Sequence, residues 1–104
     1  SAIEYIDTHY MNESLSLNTA AQVANISANH FSALFSQNMG QTFIEYLTAL
    51  RMEHARELLR CTGKRSSEIA AEVGYKDAHY FSYLFKKTQG MTPSEYRKTR
   101  EDRG

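Results

Sequence analysis

The 104-residue sequence has only one cysteine, one proline and five glycines, and it has no tryptophan. Cys61 has no second cysteine with which to form an internal disulfide or a thiolate zinc site, so we expect an inert packing residue. No apolar run approaches the roughly 18 to 20 residues of a membrane span, and the first residues lack a signal-peptide pattern. These absences predict a single cytoplasmic domain with one compact core.

Positive charge is missing from the first half of the chain. No Lys or Arg precedes Arg51, so residues 1–50 carry four acids, no base and a formal charge of −4. Residues 51–104 carry all twelve bases and eight acids, a formal charge of +4 that the net charge of zero conceals. This asymmetry predicts that the second half supplies most of the electrostatic attraction to a polyanion.

What the sequence does have is apolar residues at helical spacing, which predicts an all-α fold of seven helices. Ser27 and Asp77 have the N-cap pattern, and Thr42-x-x-Glu45 begins the longest helix with a capping box. The predicted ranges are about 2–11, 17–24, 28–39, twenty residues within 42–62, 67–73, 78–89 and 93–100. Asn25, Gly40, Gly74 and Gly90 are the predicted stops, and Thr92-Pro93-Ser94-Glu95 begins the last helix.

One segment of the chain is repeated. A shift of fifty residues gives nine identities in nineteen positions, matching Ala28, Phe31, Ser32, Leu34, Phe35, Gly40, Thr42, Glu45 and Tyr46 with Ala78, Phe81, Ser82, Leu84, Phe85, Gly90, Thr92, Glu95 and Tyr96. Upstream, a shift of forty-nine fits better, so we expect one extra residue, Lys76, in the second turn. A single supersecondary unit therefore occurs twice.

Each copy has the features of a helix-turn-helix. A small residue (Ala21, Ala70) permits close helix crossing, and the turn residue (Asn25, Gly74) tolerates positive φ. One such hairpin is weak support for DNA binding, whereas two copies are stronger support. The predicted helix between them is about 27 to 30 Å long, which is comparable with the roughly 34 Å between successive major-groove faces on one side of B-DNA. The predicted domains are 1–41 and 63–104, joined by a linker helix over 42–62, and the predicted DNA site is asymmetric.

The residues resemble the DNA-binding domain of the arabinose-regulator (AraC/XylS-type) transcription factors from Ile3 to about Arg100. The resemblance is carried by the following motifs: Ile26-Ser27, Phe35 with Gly40, Arg51 with Ala55-Leu58-Leu59, Glu68-Ile69-Ala70, Val73-Gly74-Tyr75, Tyr80-Phe81, Phe85-Lys86-Lys87 and Gly90 to Arg97. It implies seven helices and binding to double-stranded promoter DNA in adjacent major grooves. The segment Phe43-Ile44-Glu45-Tyr46-Leu47, together with Arg51-Met52, is most similar to members fused to a phosphorylatable receiver, as in two-component response regulators. We expect dimerisation through a missing N-terminal domain and contact with RNA polymerase.

The candidate base-reading residues are those about 100° from the apolar stripes Phe31-Leu34-Phe35 and Phe81-Leu84-Phe85. They are Asn29, Ser32, Ala33, Ser36 and Gln37 in the first copy, and His79, Ser82, Tyr83, Lys86 and Lys87 in the second. For any one of them, an ordinary solvated surface residue is an equally good interpretation. Relatives often carry arginine or lysine in the first reading helix, so Ala33 and Ser36 depart from the family pattern.

The candidate phosphate contacts are Thr19, Gln22, Lys76 and Arg97. For Arg51 and Arg56 we expect structural pairing with Glu45 or Glu53 at helical spacing rather than contact with phosphate.

Two other classes of function are alternatives to DNA binding. The four histidines lie on separate predicted helices, and no nucleophile, phosphate-loop or metal-ligand motif is present, so no enzyme, cofactor or metal is predicted. His30 and His54 are expected to be partly buried structural residues. A helical module that binds another protein remains an alternative, which zero net charge favours and the polar faces of residues 28–39 and 78–89 oppose.

Overall fold

The computed structural model describes residues 2–103, with side chains through residue 99. Seven helices and no strand are found in this range, as the sequence predicts. They are α1 (Ala2–His9), α2 (Leu17–Ala24), α3 (Ala28–Met39), α4 (Phe43–Cys61), α5 (Ser66–Val73), α6 (Ala78–Gln89) and α7 (Pro93–Arg103). None of these helices is long and apolar enough to cross a membrane.

Side-chain caps fix the N-terminal starts of most of the helices. The Ser27 hydroxyl accepts the His30 N–H at the start of α3, and the Asp77 carboxylate accepts two N–H groups at the start of α6. Thr42 and Glu45 form the predicted capping box of α4, with bonds of 2.8 and 3.1 Å. The box of Thr92 and Glu95 begins α7 with the same geometry.

Three predicted ends differ from the observed ones by one to three residues. Helix α1 ends at His9 rather than near residue 11, because the chain turns there and Asn12 N–H bonds to His9 O. Helix α5 begins at Ser66 rather than Ser67, because the Glu68 carboxylate already accepts the Arg65 N–H. Helix α7 continues to Arg103 rather than ending near Arg100.

The described residues pack into two units that meet between Leu50 and Arg51, so the boundary falls inside α4; we call residues up to Leu50 unit 1 and residues from Arg51 unit 2. The core of unit 1 contains a triangle of aromatic rings, in which Phe31 and Phe35 lie edge-on to Phe43 at 6.0 and 5.9 Å. In unit 2 the fully buried Phe81 and Phe85 pack with residues of α4 and α5. Each unit therefore has an apolar core of its own, and the prediction of one compact core is wrong because the buried residues of α4 divide between the two clusters.

The two predicted helix-turn-helix turns have the same backbone structure. Asn25 (φ 61°) and Gly74 (φ 112°) both adopt the left-handed conformation. The next residue, Ile26 or Tyr75, donates its N–H to the carbonyl of the buried alanine Ala21 or Ala70. Three residues separate α2 from α3 and four separate α5 from α6, so the extra residue of the second turn is confirmed.

Some predicted core positions are wrong. Leu34 is 39% exposed, because it lines an open apolar groove of about 210 Å³ instead of packing into the core. His30 is exposed rather than partly buried, since it lies on the side of α3 away from the core, whereas His54 is half-buried. Cys61 is exposed at the end of α4 and is not a packing residue.

Candidate nucleic-acid interface

The outer face of α3 in unit 1 is polar and carries no Lys or Arg. Phe31 and Phe35 turn inward, and this leaves Asn29, Ala33 and Gln37 exposed. The other two predicted residues, Ser32 and Ser36, are half-buried at the edge of the same face. The face offers amide and hydroxyl groups and one methyl, which are suited to base edges but supply little attraction for phosphate.

The outer face of α6 in unit 2 is aromatic and basic. His79, Lys86 and Lys87 are exposed, Tyr83 is 59% exposed, and Ser82 is half-buried. The Lys87 ammonium lies 5.8 Å from the centroid of the Tyr83 ring, which favours a shared orientation of the two side chains. This face presents both hydrogen-bonding groups and fixed positive charge.

A polar cleft of about 530 Å³ lies beside this face, where the first turns of α5, α6 and α7 approach one another. Among the residues whose side chains are described, no carboxylate lines it. Its walls contain two arginines, one histidine and four serines, and the described lining residues are Arg65, Ser66, Ser67, Ala78, His79, Ser82, Ser94 and Arg97. Hydroxyl and guanidinium donors at the starts of helices are the groups that bind anions.

Sequence reasoning missed half of this cleft. Arg65, Ser66, Ser67 and Ser94 were not candidates, although serines at the first positions of two helices are a recognisable signal once the helix starts are known. Tyr80, 52% exposed on the first turn of α6, was also missed as a candidate contact.

The four predicted phosphate contacts differ in availability. Gln22 and Lys76 are exposed. The Thr19 hydroxyl is engaged in the capping box of α2, where it donates to Ser16 O and accepts the Ser16 N–H. Arg97 lines the cleft, but it also donates from Nε to Leu59 O and from Nη2 to Thr62 O.

The Arg97 bonds have a plain physical reason. The last carbonyls of α4 have no partner within the helix, and a cation is favourable at that negative end of the helix dipole. A guanidinium has five N–H donors, so these two bonds leave others for a phosphate. Arg97 therefore ties α7 to the end of α4 as well as lining the cleft.

The structure shows contacts of Arg51 and Arg56 that the sequence spacing did not predict. The Arg56 guanidinium donates to the Gln89 side chain at the end of α6. Arg51 is only 6% exposed, and its guanidinium carbon lies 4.9 Å from the centroid of the Tyr75 ring. The sequence spacing did not reveal these contacts, because both partners lie far along the chain.

No group of three His, Cys, Asp or Glu side chains among the described residues is arranged to hold a metal ion.

Comparisons with known proteins agree with this arrangement. Residues 20–99 match the family model described as "Helix-turn-helix domain". The chain is 40% identical over 69 residues to the lactose operon transcription activator of Staphylococcus xylosus. The aligned segment covers 66% of this chain and 24% of that protein. The chain spans between a quarter and a third of the length of the first curated relatives that it matches.

Solved structures share the fold. The C-terminal domain of AraT, a response regulator from Geobacillus stearothermophilus, matches with a TM-score of 0.92 and 43% identity over 95% of this chain and 82% of that one. The DNA-binding domain of the transcription factor AdpA, solved with a target DNA, matches with a TM-score of 0.91 and 22% identity over 98% of this chain and 91% of that one. The chain belongs to the AraC-type helix-turn-helix family, and the relatives named above are transcription regulators and a response regulator.

Proposed function

We propose that this domain binds specific promoter DNA and inserts α3 and α6 into two adjacent major grooves of an asymmetric site. The observation that carries the proposal is the repeated turn: Asn25 and Gly74 begin connections of the same backbone geometry, and each is followed by a capped helix with a polar outer face. AdpA, which shares this fold, was solved with a target DNA, and this supports DNA as the ligand class.

The two helices have different tasks in this proposal. On α3, Asn29 and Gln37 read base edges, Ala33 meets a thymine methyl, and the hydroxyls of Ser32 and Ser36 assist. On α6, the base-reading residues are His79, Ser82 and Tyr83, while Lys86 and Lys87 contact phosphates at the groove edge. Unit 1 contributes sequence preference, and unit 2 contributes most of the salt-dependent affinity.

The polar cleft of unit 2 extends the phosphate contacts. We assign a backbone phosphate to it, with the hydroxyls of Ser66, Ser67 and Ser94 and the spare donors of Arg97 as ligands. Lys76, exposed in the turn before α6, contacts a neighbouring phosphate. In unit 1, Gln22 contacts a backbone phosphate. Thr19 contributes less to phosphate binding, because its hydroxyl already forms two hydrogen bonds in the capping box of α2.

The wider setting of the domain is also a proposal. A bacterial protein that binds promoter DNA acts in the cytoplasm, and RNA polymerase is the partner expected next to it. Because the relatives are longer than this chain, we propose that the full protein carries a further domain, such as the receiver of a response regulator, through which it dimerises. Dimerisation raises affinity by effective concentration without new contacts in this domain.

Selection from a random pool of duplex DNA tests the proposal. The domain is expected to enrich one sequence motif and to bind it about a thousandfold or more tightly than the unselected pool at physiological salt. A pool with no enriched motif contradicts sequence-specific binding. Equal binding to all duplexes at every salt concentration indicates a non-specific polyanion binder instead.

A further inference from the structure

Arg51 is the only charged side chain that is buried among residues 2–99. Its guanidinium lies against the turn between α5 and α6, stacked over the Tyr75 ring at 4.9 Å. That ring in turn packs on Tyr80 and Phe81 in the first turn of α6, with centroid separations of 6.0 and 5.9 Å. A continuous line of contacts therefore runs from α4 through the turn to the start of α6.

Gly74 is required at this turn for two separate reasons. Its φ of 112° lies in a region that residues with a Cβ rarely adopt. A Cβ on Gly74 would also lie 2.8 Å from Arg51 Nε, closer than real Cβ atoms approach, and 3.0 Å from Arg51 Cζ, so the guanidinium would have to shift. The glycine thus leaves room for the guanidinium as well as allowing the turn.

Unit 1 has the same turn without the arginine. The shift of forty-nine residues that superposes Asn25-Ile26 on Gly74-Tyr75 places Ala2 at the position of Arg51. Asn25 is exposed, at φ 61°, and the groove lined by Ala2 and Ile26 is open and apolar. The turn itself therefore forms without an arginine, and Arg51 is an addition specific to unit 2.

From these contacts we infer that Arg51 is a positioning residue that fixes the second turn and thereby the direction in which α6 enters DNA. This inference rests on the proposed function for its consequence, but the contacts that fix the turn exist without DNA. Arg51 is buried against Tyr75 and Gly74, whereas Lys86 and Lys87 are exposed on the outer face of α6. Its removal should therefore reduce specific binding and leave the electrostatic attraction unchanged.

Amide hydrogen exchange of the free domain tests the contact with the turn. In Arg51→Met, the Tyr75 amide, which donates to Ala70 O at 2.8 Å, is expected to exchange about tenfold faster than in the original chain. The Ile26 amide of unit 1 and the Tyr96 amide of α7 serve as controls and should keep their rates. An unchanged Tyr75 amide, or equal acceleration of the Tyr75 and Tyr96 amides, overturns the inference.

Binding of the same variant to DNA tests the consequence. The probes are the duplex that the original chain selects from a random 30-base-pair pool and the unselected pool itself. The affinities are compared at a temperature at which circular dichroism has first verified that the variant is folded. Arg51→Met is expected to lose about tenfold affinity for the selected duplex and to bind the pool within about twofold of the original. Its salt slope should not change, whereas loss of a phosphate contact lowers that slope by about 0.9 and weakens both complexes.

Arg60→Met is the matched control, because it removes the same charge from an exposed position of α4. It should keep the preference for the selected duplex. Equal affinity of Arg51→Met and the original chain for that duplex, or a lower salt slope, overturns the positioning role. If the original chain selects no duplex, the proposed function fails, while the exchange experiment still decides whether Arg51 fixes the turn.

A second pair of variants covers the case in which Arg51→Met does not fold. Tyr75→Leu keeps an apolar side chain but removes the ring face, and it is expected to show the same loss of specific affinity with an unchanged salt slope. The double variant Gly74→Ala/Arg51→Ala should lose less free energy of unfolding than the sum of the losses in the two single variants. The reason is that the clash between the new Cβ and the guanidinium disappears when Arg51 is removed. Strict additivity, with normal specificity in Tyr75→Leu, contradicts the inference.

Discussion

Tyr46 and Tyr96 occupy equivalent positions of the internal repeat but form hydrogen bonds with groups of opposite charge. The Tyr46 hydroxyl donates to the Asp7 carboxylate at 2.6 Å, whereas the Tyr96 hydroxyl accepts from the Arg60 guanidinium at 2.9 Å. Both rings pack edge-on against the equivalent phenylalanines, Phe35 and Phe85. The apolar contact is therefore the same in both copies of the repeat. The polar contact differs, because the partner is an acid in the acidic first half of the chain and a base in the basic second half.

The Tyr46 bond predicts a pH-dependent contribution to stability. Tyr46→Phe should lower the free energy of unfolding by about 1 kcal/mol at pH 7, since hydrogen bonds to charged groups are stronger than average but this one is partly solvated. The Asp7 carboxylate accepting the hydroxyl raises the pKa of Tyr46 to about 12. The stabilisation is therefore complete below about pH 10 and is lost as the pH rises toward 12.

Urea unfolding of both chains at pH 7 and at pH 11 measures this difference. The gap between Tyr46→Phe and the original chain should narrow at pH 11. Tyr96→Phe is the control, because the Tyr96 hydroxyl accepts from the Arg60 guanidinium instead of donating to a carboxylate. A gap for Tyr46→Phe that is constant between pH 7 and pH 11 contradicts the assigned bond.

The capping box of α7 predicts a dependence on acid. The Thr92 backbone N–H and hydroxyl lower the pKa of Glu95 below its usual value of 4.5. The stabilisation by the ionised carboxylate is therefore present above pH 4.5 and is lost as the pH falls through the lowered pKa. Glu95→Gln, which keeps an acceptor but cannot ionise, should be less stable than the original chain at pH 7 and equally stable at pH 2.

Thermal unfolding at the two pH values checks this, with Glu53→Gln as the control on the exposed side of α4. A stability difference for Glu95→Gln that persists unchanged at pH 2 is the result that refutes it.

Much of the fold follows from local sequence. Caps and stops such as Ser27, Gly40 and Asp77 act on neighbouring backbone groups, so α2, α3 and α6 were predicted with the observed ends. The two left-handed turns were predicted for the same reason. The exposure of Leu34 was not predicted, because it depends on a groove that residues of α1, α2 and α3 form together.

The candidate site shows the same division. The outer faces of α3 and α6 follow from helical periodicity, and all ten predicted base-reading residues are exposed or half-buried. The cleft requires the starts of three helices to meet, and the Arg51 and Arg56 contacts connect residues 24 and 33 positions apart. Tertiary packing alone brings such residues together, and a single sequence carries no direct signal of it.

A carboxylate in the polar cleft should block the assigned phosphate. Ser94→Glu is expected to weaken binding to the selected duplex about tenfold or more, because it adds a negative charge where we assign a backbone phosphate. The fold should tolerate it, since an acidic residue in the first turn of α7 is favourable for the helix dipole. Ser14→Glu, in the exposed connection between α1 and α2, is the control.

Fluorescence anisotropy at constant salt measures both variants. Equal losses of affinity in the two would show that general repulsion, and not the cleft, is responsible.

The two recognition helices should differ in their response to salt. Lys87→Met is expected to lower the slope of log K against log salt by about 0.9, the value for one phosphate contact. Gln37→Met should leave the slope unchanged and instead weaken discrimination between bases at one position of the site by about 1 to 3 kcal/mol. Titrations of the selected duplex at four salt concentrations distinguish the two effects, and equal slopes for both variants would contradict the division of tasks between the units.

Hydroxyl-radical footprinting of the domain on the selected duplex tests the central claim most directly. Two recognition helices in adjacent major grooves predict two protected regions on one face of the duplex, with centres about 10 to 10.5 base pairs apart and different base requirements. Protection confined to one helical turn, or two regions on opposite faces of the duplex, would contradict it.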